Sequence, residues 1–454
     1  MRKNMLQKVW ISLIFAFILF SIPVQAISPE EIEADLLHMR ELLEEVHPNL
    51  YHTTSEEVVE SFQTDLIGQL YEKEEYTFLE AYKKLASLAA LFRDGHTQVY
   101  FPQKEWDNYL AAGGRIFPLR VQLADENLIL ENILAEKKLP EGSELLSING
   151  IPANKLKTEM LSTLSYESRA FGARLLTNNF SRLLWALFEI EGPFKISYRT
   201  PGETEEKITL QGFKAEQLSE RGELEPYRLE FLSPESALLV INSVPGEIND
   251  DYFDFLQESF KEIKEKEIEY LLIDMRNNGG GSTHQFNEVY HYLSDTPYRS
   301  YSRVYTRFSR PVLAKYHPWY RQLYFGLLSL IRRDDVFMFE SDLRHPPEND
   351  YRFTGQTYLL VGPATFSAAA GFAALCQDYG AALIVGKETG GLPTSYGDSF
   401  FFDLPQTGLR ARSSYKYFIR PSGEKSDRGV IPDWEIDIDE DFAEIFERGG
   451  DINK

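Results

Sequence analysis

The C-terminal half of the chain constrains the fold most, because short apolar runs and amphipathic stretches alternate there in a steady rhythm. Ala237 to Ile241, Tyr270 to Met275, Thr357 to Val361 and Ala382 to Val385 read as buried strands. Tyr252 to Lys264, Ser282 to about Leu293 and Ser367 to Tyr379 read as helices between them. Such alternation implies βαβ units and a largely parallel sheet. In a sheet of that kind, sites form where strand ends meet helix starts. Two segments have this form.

The first is Leu271-Leu272-Ile273-Asp274-Met275-Arg276-Asn277-Asn278-Gly279-Gly280-Gly281. Glycines between a buried strand and a helix let bare backbone N–H groups point into a cleft, as an oxyanion requires. The same geometry cradles phosphate, but no lysine with Ser or Thr follows, so this is not a P-loop. A plain turn has the same composition. The second is Val361-Gly362-Pro363-Ala364-Thr365-Phe366-Ser367-Ala368-Ala369-Ala370-Gly371. Ser367 follows a strand and a sharp turn and opens an apolar helix, where a hydroxyl is exposed for attack beside the positive helix end. An ordinary helix-capping serine would look the same.

A serine needs a base to attack at neutral pH. Of the eight histidines, His38, His47, His52, His291, His317 and His345 sit in polar or aromatic contexts with no evident role. His96, within Arg93-Asp94-Gly95-His96-Thr97, lies at a helix-to-strand junction that can aim it into a cleft. His284 follows the glycine loop and is the rival. Sequence separation alone leaves both open.

Arg2, Lys3 and Lys8 precede an apolar run from Val9 to Ile22, and Val24-Gln25-Ala26 closes it with small residues. The run is short for a spanning helix, so residues 1–26 are expected to be an export signal, with the mature chain starting near Ile27 and an uncleaved anchor as the alternative. The chain holds 47 Lys+Arg against 70 Asp+Glu, a net of −23, and −26 without the first 26 residues. That charge repels nucleic acid phosphates and anionic lipid, so neither is an expected partner. One cysteine, Cys376, excludes an internal disulfide and a cysteine-based metal cluster. No metal-binding motif or cofactor motif occurs, so no cofactor is expected.

Upstream, Ser28 to Glu45 reads as an amphipathic helix capped by Ser28, and Thr77 to Leu91 as a second. From Phe117 to Ala153 short strands take over, at Leu119 to Val121, Leu128 to Leu130 and Glu144 to Ile148. Asn149-Gly150 signals a tight turn. Helices near Asn154 to Leu164 and Leu175 to Ile190, then strands at Phe194 to Tyr198 and Lys207 to Leu210, complete the middle. Asp295 to Gln356 reads as irregular, with ten Arg+Lys against seven Asp+Glu and many aromatics. It suits either a wall attracting acidic peptides or a packing segment, the second being favoured.

Ile273 to Gly281, Thr365-Phe366-Ser367-Ala368-Ala369, and Gly386-Lys387-Glu388-Thr389-Gly390-Gly391 with Gly429-Val430-Ile431-Pro432-Asp433 together resemble the tail-specific (C-terminal processing) protease superfamily. Gly142 to Gly150 is similar to the end of a PDZ-like domain. The resemblance implies an α/β protein with a crotonase- and Clp-protease-like ββα superhelix core at 236–440. Before it stand a helical N-terminal region at 27–112, a PDZ-like β-rich subdomain at 113–165 and a connecting α/β region at 166–235. A tail occupies 441–454.

One branch of the superfamily uses a Ser–Lys dyad, but here the lysine position is Leu392, and Lys387 is elsewhere in the segment. The other branch, typified by the tricorn core, takes a histidine from before the PDZ-like part, which favours His96. On this resemblance Ser367 is the nucleophile and His96 the base. The N–H groups of Ala368 and of Gly280 or Gly281 line an oxyanion hole. Near the closing Gly429-to-Asp433 segment Glu424, Ser426 and Asp427 are the candidates for the partner of His96, and Asp427, Glu424 or a backbone carbonyl would orient the histidine. The implied activity is hydrolysis of peptide bonds through an acyl-enzyme. The competing expectations are a non-catalytic peptide- or lipid-binding member of the same fold and a crotonase-like acyl-thioester enzyme.

Overall fold

The computed structural model describes residues 26–132, 138–219, 224–332, 335–436, 442 and 445–446. The expected export signal and nearly all of the tail at 441–454 lie outside the described residues.

The chain opens with α1 (Pro29–Val46), α2 (Glu56–Leu70), α3 (Phe78–Ala90), the short strand β1 (Gln98–Val99) and α4 (Gln103–Ala111). Capping boxes start α1 and α3: Ser28 exchanges hydrogen bonds with Glu31, and Thr77 with Glu80. A middle unit follows with β2 (Leu119–Ala124), β3 (Asn127–Asn132), β4 (Ser143–Ile148), β5 (Ile151–Pro152) and α5 (Ala153–Leu161). It continues through α6 (Arg169–Phe188), β6 (Phe194–Arg199), β7 (Glu205–Leu210) and the short α7 (Glu216–Ser219). Its antiparallel sheet runs β2-β3-β4-β6-β7, so it reaches past residue 165. Asn149 and Gly150 both have positive φ, as a two-residue hairpin turn between β4 and β5 demands. The N-terminal helices and this sheet share one apolar core, built from residues such as Leu36, Leu85, Val121, Ile148 and Leu184.

The rest begins with β8 (Tyr227–Phe231), β9 (Ser236–Ile241), α8 (Asp250–Glu265), β10 (Tyr270–Asp274) and α9 (Thr283–Leu293). Next come β11 (Arg303–Arg307), α10 (Arg310–Tyr316), α11 (Trp319–Arg332) and β12 (Val336–Glu340). The chain then forms β13 (Gln356–Val361), α12 (Ala368–Tyr379), β14 (Leu383–Gly386), β15 (Ser395–Asp403), β16 (Arg410–Ile419) and β17 (Trp434–Glu435). One sheet runs β8-β9-β10-β13-β14-β17, parallel except for β8. This is the expected parallel sheet, and helices α8, α9 and α12 bury its second core. The stretch 295–356, expected to be irregular, instead supplies β11 and β12 to a third sheet, β1-β16-β11-β12 with β15 on β16. Strand β1 pairs with β16, Gln98 opposite Arg412, and so ties the N-terminal helices to the third sheet.

Candidate active site

Strand β13 ends at Val361, and the chain turns through Gly362–Phe366 into α12. Thr365 Oγ1 accepts the Gly362 N–H at 3.0 Å and donates to the Met275 carbonyl at 2.9 Å. The Phe366 N–H donates to the Asn278 carbonyl at 3.0 Å. The serine turn is thus sewn to the glycine loop after β10. Ser367 lies at φ 54, ψ −128, a region that costs a non-glycine residue about 1–3 kcal/mol. It occupies the N-cap position of α12, yet its hydroxyl makes no capping bond. Instead Oγ lies 2.8 Å from His96 Nε2.

His96 is delivered by the turn after α3. Asp94, wholly buried, organises it: Oδ1 accepts the His96 N–H at 2.9 Å. Oδ2 accepts from the hydroxyls of Thr97 and Ser414, both at 2.6 Å. His47 Nδ1 accepts the Asn49 N–H, which leaves its Nε2 to donate to Asp94 Oδ2 at 3.2 Å. Burial acts to raise the Asp94 pKa, but His47, His96 and the Ser414 hydroxyl outweigh it and hold the carboxyl below its usual range. The imidazole of His96 stacks on Phe366 at 4.7 Å between centroids, and Phe366 stacks on Phe171 of α6 at 4.2 Å. A Cβ at Gly95 would sit 2.7 Å from the Phe366 ring, so this close approach needs glycine.

The second ring nitrogen, Nδ1, faces two carboxylates: Glu167 Oε1 at 3.7 Å and Asp94 Oδ1 at 3.8 Å. Glu167 stands just before α6. Its neighbour Ser168 caps that helix by accepting the Phe171 N–H and donates to the Gly390 carbonyl. Glu167 Oε2 accepts the Leu392 N–H at 3.3 Å. Glu167 Oε1 and His96 Nδ1 are both buried with no hydrogen-bond partner among the described residues. Burial pushes the Glu167 carboxyl up, and the nearby Asp94 adds to this, against the opposing pull of His96. Asp94, His96 and Glu167 also present donor atoms within 4.8 Å of one another. Both Asp94 oxygens are already engaged, so the two groups left free are one imidazole nitrogen and one carboxylate oxygen, which suits a shared proton.

The glycine loop meets the serine closely. Gly280 has φ 103, and a Cβ there would lie 2.7 Å from Ser367 Cβ and 3.2 Å from the Ala368 nitrogen. Its N–H is taken by Asn278 Oδ1 at 2.8 Å. The Gly281 and Ala368 N–H groups have no partner among the described residues, and both residues line the pocket of Ser367 and His96.

The structure brings Ser367, His96, Gly281 and Ala368 together, with Gly280 beside them as a spacer. Glu424 and Asp427 do not meet His96. Both are exposed: the Glu424 carboxylate reaches Arg420 at 3.8 Å, and Asp427 lines the outer cleft. The segment carrying them is held away from His96 by the Arg428–Glu388 ion pair and the Gly429 N–H bond to Glu388. Glu167 takes the place expected for them and carries no sequence signal, since an acid beside a helix start is ordinary. Asp94 was visible in the His96 segment, but only as a neighbour. His284 lies against Phe253, not Ser367. Leu392 lines the serine pocket with Ser367 and His96.

Ser367 and His96 open into a narrow pocket of about 50 Å³ bounded by Tyr301, Pro393 and Phe418. It shares Leu392, Ser395 and Tyr396 with a broad cleft of about 1040 Å³ between the middle unit and β15–β16. Such a cleft has room for several residues of an extended chain.

No curated protein sequence matches this one. Residues 237–436 match the model of Peptidase family S41. The solved structure of mature CPAF complexed with lactacystin is 15% identical, with a TM-score of 0.64 over 90% of this chain and 94% of that one. Mature CPAF gives 14% and 0.63 over 90% and 92%. The photosystem II D1 C-terminal processing protease gives 14% and 0.46 over 89% and 93%. The CPAF structures share the overall fold. Residues 237–436, which hold the parallel strands and the serine turn, thus form a Peptidase family S41 domain, and that match supports a serine-type peptidase.

Proposed function

We propose that this is an exported peptidase that cuts peptide bonds through an acyl-enzyme on Ser367, with His96 as general base and Glu167 orienting His96. With its proton on Nδ1, the imidazole accepts the Ser367 proton through Nε2 as Oγ attacks the scissile carbonyl. The imidazolium that forms is stabilised by Glu167, which closes the last fraction of an ångström to Nδ1–H as charge develops. The oxyanion is held by the Gly281 and Ala368 N–H groups at the positive end of α12. His96 then returns its proton to the leaving amine, and water, activated the same way, releases the acyl group. The PDZ-like reading of the β2–β5 region gives the middle unit the task of presenting an extended peptide along the broad cleft to the crotonase-like core.

The observation that carries this reading is the 2.8 Å contact from Ser367 Oγ to His96 Nε2, made by a serine whose hydroxyl forgoes the capping bond its position offers. Ser367→Ala is expected to remove peptide hydrolysis by a factor of about 10³ or more while shifting thermal stability little, since a single hydroxyl is lost. Full activity in Ser367→Ala would sink the mechanism.

A further inference from the structure

Residues 296–333 contain eight Lys and Arg and no Asp or Glu, in a chain whose net charge is −23. Within this stretch α11 presents an apolar face to solvent. Phe325 and Leu328 pack inward against Phe308, Leu313 and Phe337. Trp319, Tyr320, Leu323, Tyr324, Leu327 and Leu330 are all exposed, Trp319 by 74% and Leu330 by 77%. At 3.6 residues per turn these six fall within a band of about 140° that includes no charged position. Arg310 at the start of α10 and Arg321 on α11 are exposed and form no ion pair with a described residue. Exposed apolar area of this size and continuity marks a binding surface.

We propose that α11 is an interfacial anchor that lays this face on a lipid surface carrying anionic headgroups. Aromatic and leucine side chains on one face with arginines beside it are the makeup of helices that lie in the membrane interface. Fourteen residues span about 21 Å, too short to cross a bilayer. The overall negative charge argued against anionic lipid, but at physiological salt charges beyond about 8 Å are largely screened, so the local arginines set the sign. The same arginines disfavour a second copy as the occupant, because a two-fold interface would set this basic surface against itself.

The test uses the full chain with Leu327→Cys carrying an environment-sensitive fluorophore; the native Cys376 is buried and escapes labelling. A blue shift is expected on phosphatidylglycerol–phosphatidylcholine vesicles. Partitioning is expected to weaken at least about tenfold on pure phosphatidylcholine, and likewise in the Arg310→Glu/Arg321→Glu chain. That double variant should hydrolyse short peptides in solution as the parent does. The label sits on α11, so a membrane contact made only by the apolar run at residues 9–22 does not produce the shift. An unchanged spectrum on anionic vesicles overturns the proposal. So does an equal shift on both vesicle types, or a shift that grows with protein concentration without vesicles, which would reveal a second copy.

Discussion

Glu167 is the residue whose chemistry is most exposed to test. Buried with one oxygen unpartnered, it costs the fold stability when ionised, and its raised pKa means that cost appears as pH rises through the folded value. Glu167→Gln removes the cost at neutral pH, so its melting temperature should equal or exceed that of the parent at pH 7. The advantage should fade toward acid pH. Its kcat should nonetheless fall by about 10²–10⁴ with KM nearly unchanged, as when the acid behind a catalytic histidine is neutralised. The parent should lose activity on the acid side as Glu167 takes up a proton. A Gln variant with unaltered kcat would remove Glu167 from the mechanism. His96 and Ser367 stood out as candidates at junctions of elements, but the residues alone left His284 and a plain helix cap open, and it was the family resemblance that chose between them. Glu167 did not stand out, because its burial and partners arise only when α6 docks on the Gly390 loop.

The turn between α3 and β1 does more than carry His96. Asp94 joins it to α1's C-terminal cap through His47 and to β16 through Ser414, so three segments distant in sequence close on one carboxylate. Its pKa is depressed, so its stabilisation is present above the unfolded value of about 3.9 and is lost as pH falls below it. Asp94→Asn should therefore destabilise by about 3 kcal/mol or more at pH 7, since a buried network loses its acceptor. The gap to the parent should narrow below about pH 4, which chemical denaturation across pH would show. Elements with strong periodicity, such as α1, β10 and α12, were readable in the sequence. The segment 295–356 was not: its α11 is apolar on both its packed and its exposed side, which hides helical period, and the third sheet pairs strands far apart in sequence.

At the scale of the whole molecule, the parallel sheet places the glycine loop and the serine turn at adjacent strand ends, β10 and β13. The N-terminal helices bring His96 to the serine by pairing β1 with β16, and the middle unit brings Glu167. The site therefore exists only when all three parts are assembled, although the sequence pattern located the sheet and the two turns by themselves. The most direct measurement of the central claim is labelling of the folded chain with a fluorophosphonate, read by intact mass and peptide mapping, for the parent, Ser367→Ala and His96→Ala. The account predicts one adduct on Ser367 in the parent and none in either variant. A folded parent that stays unlabelled, or a label on any other serine, would contradict it.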